Sequence, residues 1–212
     1  MAAPATRAVR SDGIRTREVI LRTAVTLASS RGLEQLSIGD LAAGVGMSKS
    51  GLYAHFGSKE ELQLATVETA RTIFEDVVLT PAGQTVAGRD GLIALSDLFC
   101  EHLRNRVFPG GCFFDSAAVD LQAYPGPVRD AITEVQGDWR MRVREHLGVA
   151  REHGELPADA DLDQLEFDIL AFHAAAHTMF RMSGDERVID QAERAVRLRL
   201  GVEAEALPVR PR

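Results

Sequence analysis

Three helix starts and two stops crowd into residues 37–61, and this punctuation restricts the local fold more than any other feature of the chain. Ser37-Ile-Gly-Asp40 reads as a capping-box-like start. Ser48 stands before a second short run, and Ser58-Lys-Glu-Glu61 is a full capping box for a third. Gly44 and Gly46 close the first run and Gly57 closes the second. Two helices of about two turns each, joined by a tight glycine turn, form a helix-turn-helix. Leu41, Ala42, Val45, Leu52 and Phe56 fall on the faces that close on each other, and Ala42 lets the two backbones approach. Lys49, Ser50, Gly51, Tyr53 and His55 remain for the outer face of the helix over 49–56. A short polar helix with a cation, hydroxyls and ring donors suits the major groove of DNA, with its N-terminus toward phosphate.

Helical periodicity continues through the rest of the chain. Val19, Ile20, Thr23, Ala24, Leu27 and Ala28 predict a first helix over 16–30, ended by Gly32. The helix capped by Ser58 is expected to run to about residue 79, with a loop from Pro81 onward. Further helices are predicted over 90–106, 112–122, 128–153, 162–182 and 186–200, separated by Pro109-Gly-Gly, Tyr124-Pro-Gly-Pro and Gly154…Pro157. The tail from Gly201 to Arg212 is expected to fray, and the N-terminal arm to be flexible. No strand-like alternation, internal repeat or phosphate-binding glycine motif breaks the pattern. The fold class is all-α, with about nine helices. The expected division is a helix-turn-helix domain over 1–57 and a second helical domain over 58–212.

Charge makes sense only when mapped along the chain. The 212 residues carry a net charge of −7, which argues against a nucleic-acid partner. Residues 1–60, however, hold eight basic against five acidic side chains, a net +3, which leaves −10 for the remainder. A basic head on an acidic body is the asymmetry expected of a nucleic-acid-binding protein. The only two lysines, Lys49 and Lys59, both fall in that head. No apolar stretch is long enough to span a bilayer and the first ten residues lack a signal-peptide core, so no membrane partner and a cytoplasmic setting are expected. Two cysteines, Cys100 and Cys112, do not make a disulfide scaffold in a chain of this size.

The segment from about residue 17 to residue 65 resembles the DNA-binding domain of the TetR family of transcriptional regulators. The resemblance rests on Ala24-Val-Thr-Leu-Ala, on Gly32-Leu, on Ser37-Ile-Gly-Asp-Leu-Ala-Ala-Gly-Val-Gly-Met-Ser, and above all on Leu52-Tyr-Ala-His-Phe-Gly-Ser-Lys-Glu-Glu-Leu62. It implies that Ser37 and Ser48 are helix caps near phosphates and that Lys49, Ser50 and Gly51 meet base edges or the groove. It implies backbone contacts from Tyr53 and His55, and a phosphate contact from Lys59. For Tyr53 a core-packing role is the rival reading, and for His55 stabilisation of a helix end. The implied partner is double-stranded operator DNA, palindromic because a two-fold dimer presents two reading heads.

Beyond residue 58 the resemblance implies a helical ligand-binding and dimerisation domain, with Gly110-Gly-Cys-Phe-Phe and Pro125-Gly-Pro-Val-Arg-Asp similar to one large subgroup. Phe99, His102, Leu103, Phe113, Phe114, Trp139, Val143, Phe167 and His173 are the candidate walls of a pocket for a small hydrophobic effector, against the plainer reading of a packed core. The helices near 162–182 and 186–200 are the expected dimer interface, because the first of them is apolar on nearly all sides and Ala174-Ala-Ala176 allows close approach. His173 and His177, four apart, have metal-ligand spacing, and Cys112 or His102 could join them, but no Glu stands between them as in a zinc protease motif. A metal- or thiol-sensing regulator using His173/His177 or Cys112 is therefore the alternative, and a metal-dependent enzyme a weaker one. No catalytic constellation, cofactor motif or complete metal site is read from the chain.

Overall fold

In the computed structural model, residues 5–202 are described, with side chains from residue 15 onward. The expected frayed tail beyond Val202 and the start of the N-terminal arm lie outside the described residues. Nine helices follow one another and no strand occurs among the described residues: α1 (Ala5–Arg31), α2 (Ile38–Val45), α3 (Lys49–Phe56), α4 (from Lys59), α5 (Arg89–Arg104), α6 (Phe113–Leu121), α7 (Pro127–Glu152), α8 (Leu162–Ser183) and α9 (Arg187–Arg199). The chain is all-α.

Two elements differ from the sequence expectation. The first helix starts at Ala5 and not near residue 16, running through Gly13. A single helical glycine costs about 1 kcal/mol relative to alanine, which weakens a helix without ending it. Helix α4 does not stop at residue 79 either. Its α-helical part, Lys59–Phe74, passes into a π-helical turn at Glu75–Leu79 and then a last turn at Thr80–Ala82 that contains Pro81. Proline lacks an N–H and its ring crowds the carbonyl four residues back, so a widened turn just upstream lets the helix continue past it.

Helices α1, α2 and α3 form a small head. Its core holds Ile20, Ala24, Leu41, Ala42, Leu52 and Phe56, all buried. The body packs α8 against α9, α5 against both, and α7 against α4, α5, α6 and α8. Arg104 of α5 fastens the body from within. Its guanidinium is nearly buried and meets Asp190 at 2.9 Å and Glu193 at 3.1 Å on α9, and Glu101 at 3.1 Å. Three seams join head to body. Helix α4 packs on α1 and α3. Asp120, at the end of α6, accepts the Leu33 amide at 3.1 Å. Arg181 of α8 donates to the Ser30 carbonyl at 3.2 Å and to Ser116 at 2.9 Å. At the α6 seam Gly110 lies so close to α1 that an added β-carbon would collide with the Ser29 carbonyl.

Candidate nucleic-acid interface and internal cavity

Helix α3 stands on the head with two sides of opposite character. Ser48 adopts an extended conformation and its Oγ accepts the Gly51 amide at 3.1 Å, which starts the helix. Gly57 ends it in a positive-φ conformation. Between these points Leu52 and Phe56 turn inward and are buried, while Lys49, Ser50, Tyr53 and Ala54 are exposed. The Arg17 guanidinium lies 5.1 Å above the Phe56 ring and ties α1 to the end of α3. Tyr53 is 52% exposed, so it does not share the core with its neighbours Leu52 and Phe56. His55 is half-buried, its ring 6.2 Å from that of Phe56. Gly51 is half-covered, with the Ser48 hydroxyl 3.2 Å from where a β-carbon would be.

The other expected contacts sit around this helix. Ser37 is exposed and caps α2, accepting the Asp40 amide at 3.0 Å and donating to the Asp40 carboxylate at 2.8 Å. The Lys49 stem lies across Gly39, its Cε 3.1 Å from a β-carbon built there. Glycine at 39 therefore gives the lysine room at the start of α2. Lys59 is committed elsewhere than expected: its Nζ donates to the Glu34 carbonyl at 2.7 Å and to the Glu34 carboxylate at 2.8 Å. Two of its three donors are thus used inside the protein, and the pairing holds the Glu34 carboxyl below its usual range. Spacing along the chain could not reveal this, because Glu34 and Lys59 belong to different elements.

The body holds a partly open cavity of about 270 Å³. Its walls are Phe74 from α4, Phe99 from α5, Cys112, Phe114 and Asp115 at the start of α6, Val135, Gln136, Trp139 and Arg140 from α7, and Leu170, His173 and Ala174 from α8. Of the nine expected liners, Phe99, Phe114, Trp139 and His173 are walls. His102, Leu103, Phe113 and Val143 are buried in the core and do not line the cavity. Phe167 is 67% exposed on the outer face of α8, because that helix has protein on only part of its circumference. Three of the unexpected walls, Val135, Gln136 and Arg140, have a common cause. Helix α7 turns Val135, Gln136, Trp139 and Arg140 to the cavity, a face that includes the polar flank of the apolar stripe, so a search for apolar periodicity alone misses half of it.

The aromatic walls pack on one another with little slack. Phe74 meets Trp139 edge-on at 5.6 Å and Phe114 at 5.8 Å, and Phe99 lies 4.5 Å from His173. His173 Nε2 is 2.8 Å from the Ser96 hydroxyl, and burial pushes the imidazole down to about 3, so it stays neutral. His177 takes a different partner, with Nδ1 3.6 Å from Asp115. The two histidines therefore do not converge, and among the described residues no group of three or more His, Cys, Asp or Glu is placed to hold a metal ion. Cys112 is buried and its thiol is pushed up by that burial, the opposite of the accessible thiolate that redox sensing needs. Asp115 is pushed up as well, again through burial, and accepts a hydrogen bond from the Cys112 thiol.

Known proteins place this arrangement in a family. Residues 20–66 match bacterial regulatory proteins of the tetR family, and residues 88–196 match the tetracyclin repressor-like C-terminal domain. The transcriptional regulator AcuR of Cereibacter sphaeroides is 23% identical over 153 residues, which is 69% of this chain and 67% of that one. A TetR transcriptional regulator from Chloroflexus aurantiacus superimposes with a TM-score of 0.81 at 25% identity, covering 89% of this chain and 96% of its own. AibR, solved with isovaleryl coenzyme A and operator DNA, superimposes at 0.67 with 23% identity, covering 85% of this chain and 96% of its own. Among the described residues no helix is long and apolar enough to cross a membrane. The C-terminal match alone spans half of the chain and the N-terminal match covers the helix-turn-helix: the chain belongs to the TetR family of DNA-binding transcriptional regulators, which are not enzymes.

Proposed function

We propose that the protein is a cytoplasmic repressor that binds a palindromic operator as a homodimer and is released by a small molecule held in the body. The observation that carries this reading is the arrangement around α4. The helix starts directly after α3, and the end of its α-helical part, Phe74, is a wall of the cavity. A guest that displaces Phe74 acts on the helix on which the reading head rests. The π-helical turn directly after Phe74 supports this, since such turns are a common mark of functional adjustment in a helix. Release requires that the guest bind the DNA-free arrangement more tightly than the bound one. AibR, a relative in fold, binds both an acyl coenzyme A and operator DNA, which supports a chain built for both tasks.

Residues 1–57 are the DNA-binding part in this reading and residues 58–212 the sensing and dimerising part. Lys49, Ser50 and Gly51 meet the groove, Ser37, Ser48, Tyr53 and His55 the backbone, and Lys59 offers its one remaining donor to phosphate. Selection of bound sequences from random DNA tests the reading, followed by mobility shifts across a salt series. The expected result is an enriched two-fold sequence, with affinity falling steeply as salt rises. Lys49→Ala should weaken binding by about tenfold and relax the sequence preference at the position it meets. Failure of any sequence to rise above random would remove the assignment.

A further inference from the structure

We infer that the cavity is built for an organic cation, a compact aromatic or alkyl amine, whose ammonium seats against Asp115 while its apolar body lies on Phe74, Phe99 and Trp139. This rests on the sensing role proposed for the body. Asp115 is one of the cavity walls, and its side chain keeps 32% of its surface accessible although the residue sits within the body. An aromatic chamber that offers a carboxylate to its guest is an unusual design for a purely apolar ligand. A neutral hydrocarbon would strip water from that carboxylate and return nothing for it.

Among the described residues no arginine or lysine pairs with Asp115. Its ion-pair partner there is His177, at 3.6 Å. Burial is the largest cause that pushes Asp115 up and His177 down, and each group only partly offsets the other's shift, which leaves the carboxylate short of a strong cationic partner. The cation on the cavity wall, Arg140, turns to Glu166 and not to Asp115: its Nε and Nη2 both lie 2.8 Å from one Glu166 oxygen. The charge the chamber lacks is positive. The surrounding rings favour the same sign, because an aromatic face carries negative potential and attracts ammonium groups within about 6 Å of its centre. An anionic guest would meet Asp115 as a like charge.

Trp139 is the only tryptophan and lines the cavity, so intrinsic fluorescence reports the guest directly. The probes are 2-phenylethylamine, 2-phenylethanol and 3-phenylpropionate, which share a shape and carry positive, no and negative charge. With the full chain at neutral pH, the amine should bind at least about tenfold tighter than the alcohol, and the acid most weakly. Asp115→Asn should weaken the amine by about tenfold and leave the alcohol within about twofold. The inference is overturned if the alcohol or acid matches the amine, if Asp115→Asn leaves the amine unchanged, or if none of the three perturbs Trp139 up to millimolar concentration. Should the variant not fold by circular dichroism, the wild-type ranking alone decides. Mobility shifts on the same preparation separate the two levels. Intact operator binding beside a failed ranking removes the amine only, whereas absent operator binding removes the regulator reading.

Discussion

At the scale of single residues, the body keeps polar groups in surroundings that oppose their charge. His102 is the sharpest case. It is buried among Phe74, Phe99 and Phe108, and among the described residues neither ring nitrogen finds a hydrogen-bond partner. Burial pushes it down to about 4 from an ordinary value near 6.5. The unfolded chain therefore takes up a proton near pH 6.5 while the folded protein waits until about pH 4. Stability is complete above pH 6.5 and is lost as pH falls through that window, by about 3 kcal/mol from His102 alone. His173 acts with the same sign. His102→Leu removes the titrating group and an unpartnered ring. Urea unfolding at one protein concentration should give stability at pH 7 equal to wild type or higher by up to about 1 kcal/mol. The decline between pH 6.5 and pH 4 should be shallower by roughly one proton. An unchanged slope would show that His102 does not stay neutral in the folded state.

At the scale of elements, the caps behaved as local chemistry requires. Ser37, Ser48 and Ser58 each accept an amide three residues on, and the boundaries of α2 and α3 follow from them. Gly110 is different. In the sequence, Pro109-Gly-Gly reads only as a chain break between two helices. In the fold it is the point where the entry to α6 lies on the end of α1, with the Ser29 backbone where a side chain would begin. Backbone cannot swing aside as a flexible side chain can. Gly110→Ala should therefore cost about 3 kcal/mol, lowering the melting temperature by roughly 6–12 °C in a thermal scan. Gly137 and Gly148 of α7 have open space beside them, so Gly137→Ala should leave stability unchanged or higher. Equal effects at positions 110 and 137 would mean that the α1–α6 seam is looser than described.

At the scale of the whole molecule, the most telling surface is the outer face of α8. Phe167, Met179 and Met182 are exposed there, with Ala175 between them, and Leu198 of α9 is exposed as well. Large apolar side chains left exposed along one helix call for a partner. A second copy fits, because small residues let two helices approach and a two-fold pair matches a two-fold operator. Ala175→Glu places a charge at that face without touching the core. Sedimentation should shift from dimer to monomer, with operator affinity lowered by about a hundredfold or more as one reading head is lost. A variant that stays dimeric would move the interface elsewhere.

What could be read from the chain alone was whatever short-range chemistry specifies. Serine caps, glycine stops and the 3.6-residue period lie within a few residues of one another, and from them came the helices, the all-α class and the packing of Leu52 and Phe56 opposite a polar face. The family string over residues 52–62 belongs to the same local register. Long-range pairing is invisible to that logic. That Lys59 spends its charge on Glu34, that Asp120 holds the Leu33 amide, and that Asp115 is set among the rings of four other helices depend on which helices meet and at what rotation. The sum of many small packing terms decides this, and no short stretch of sequence contains it.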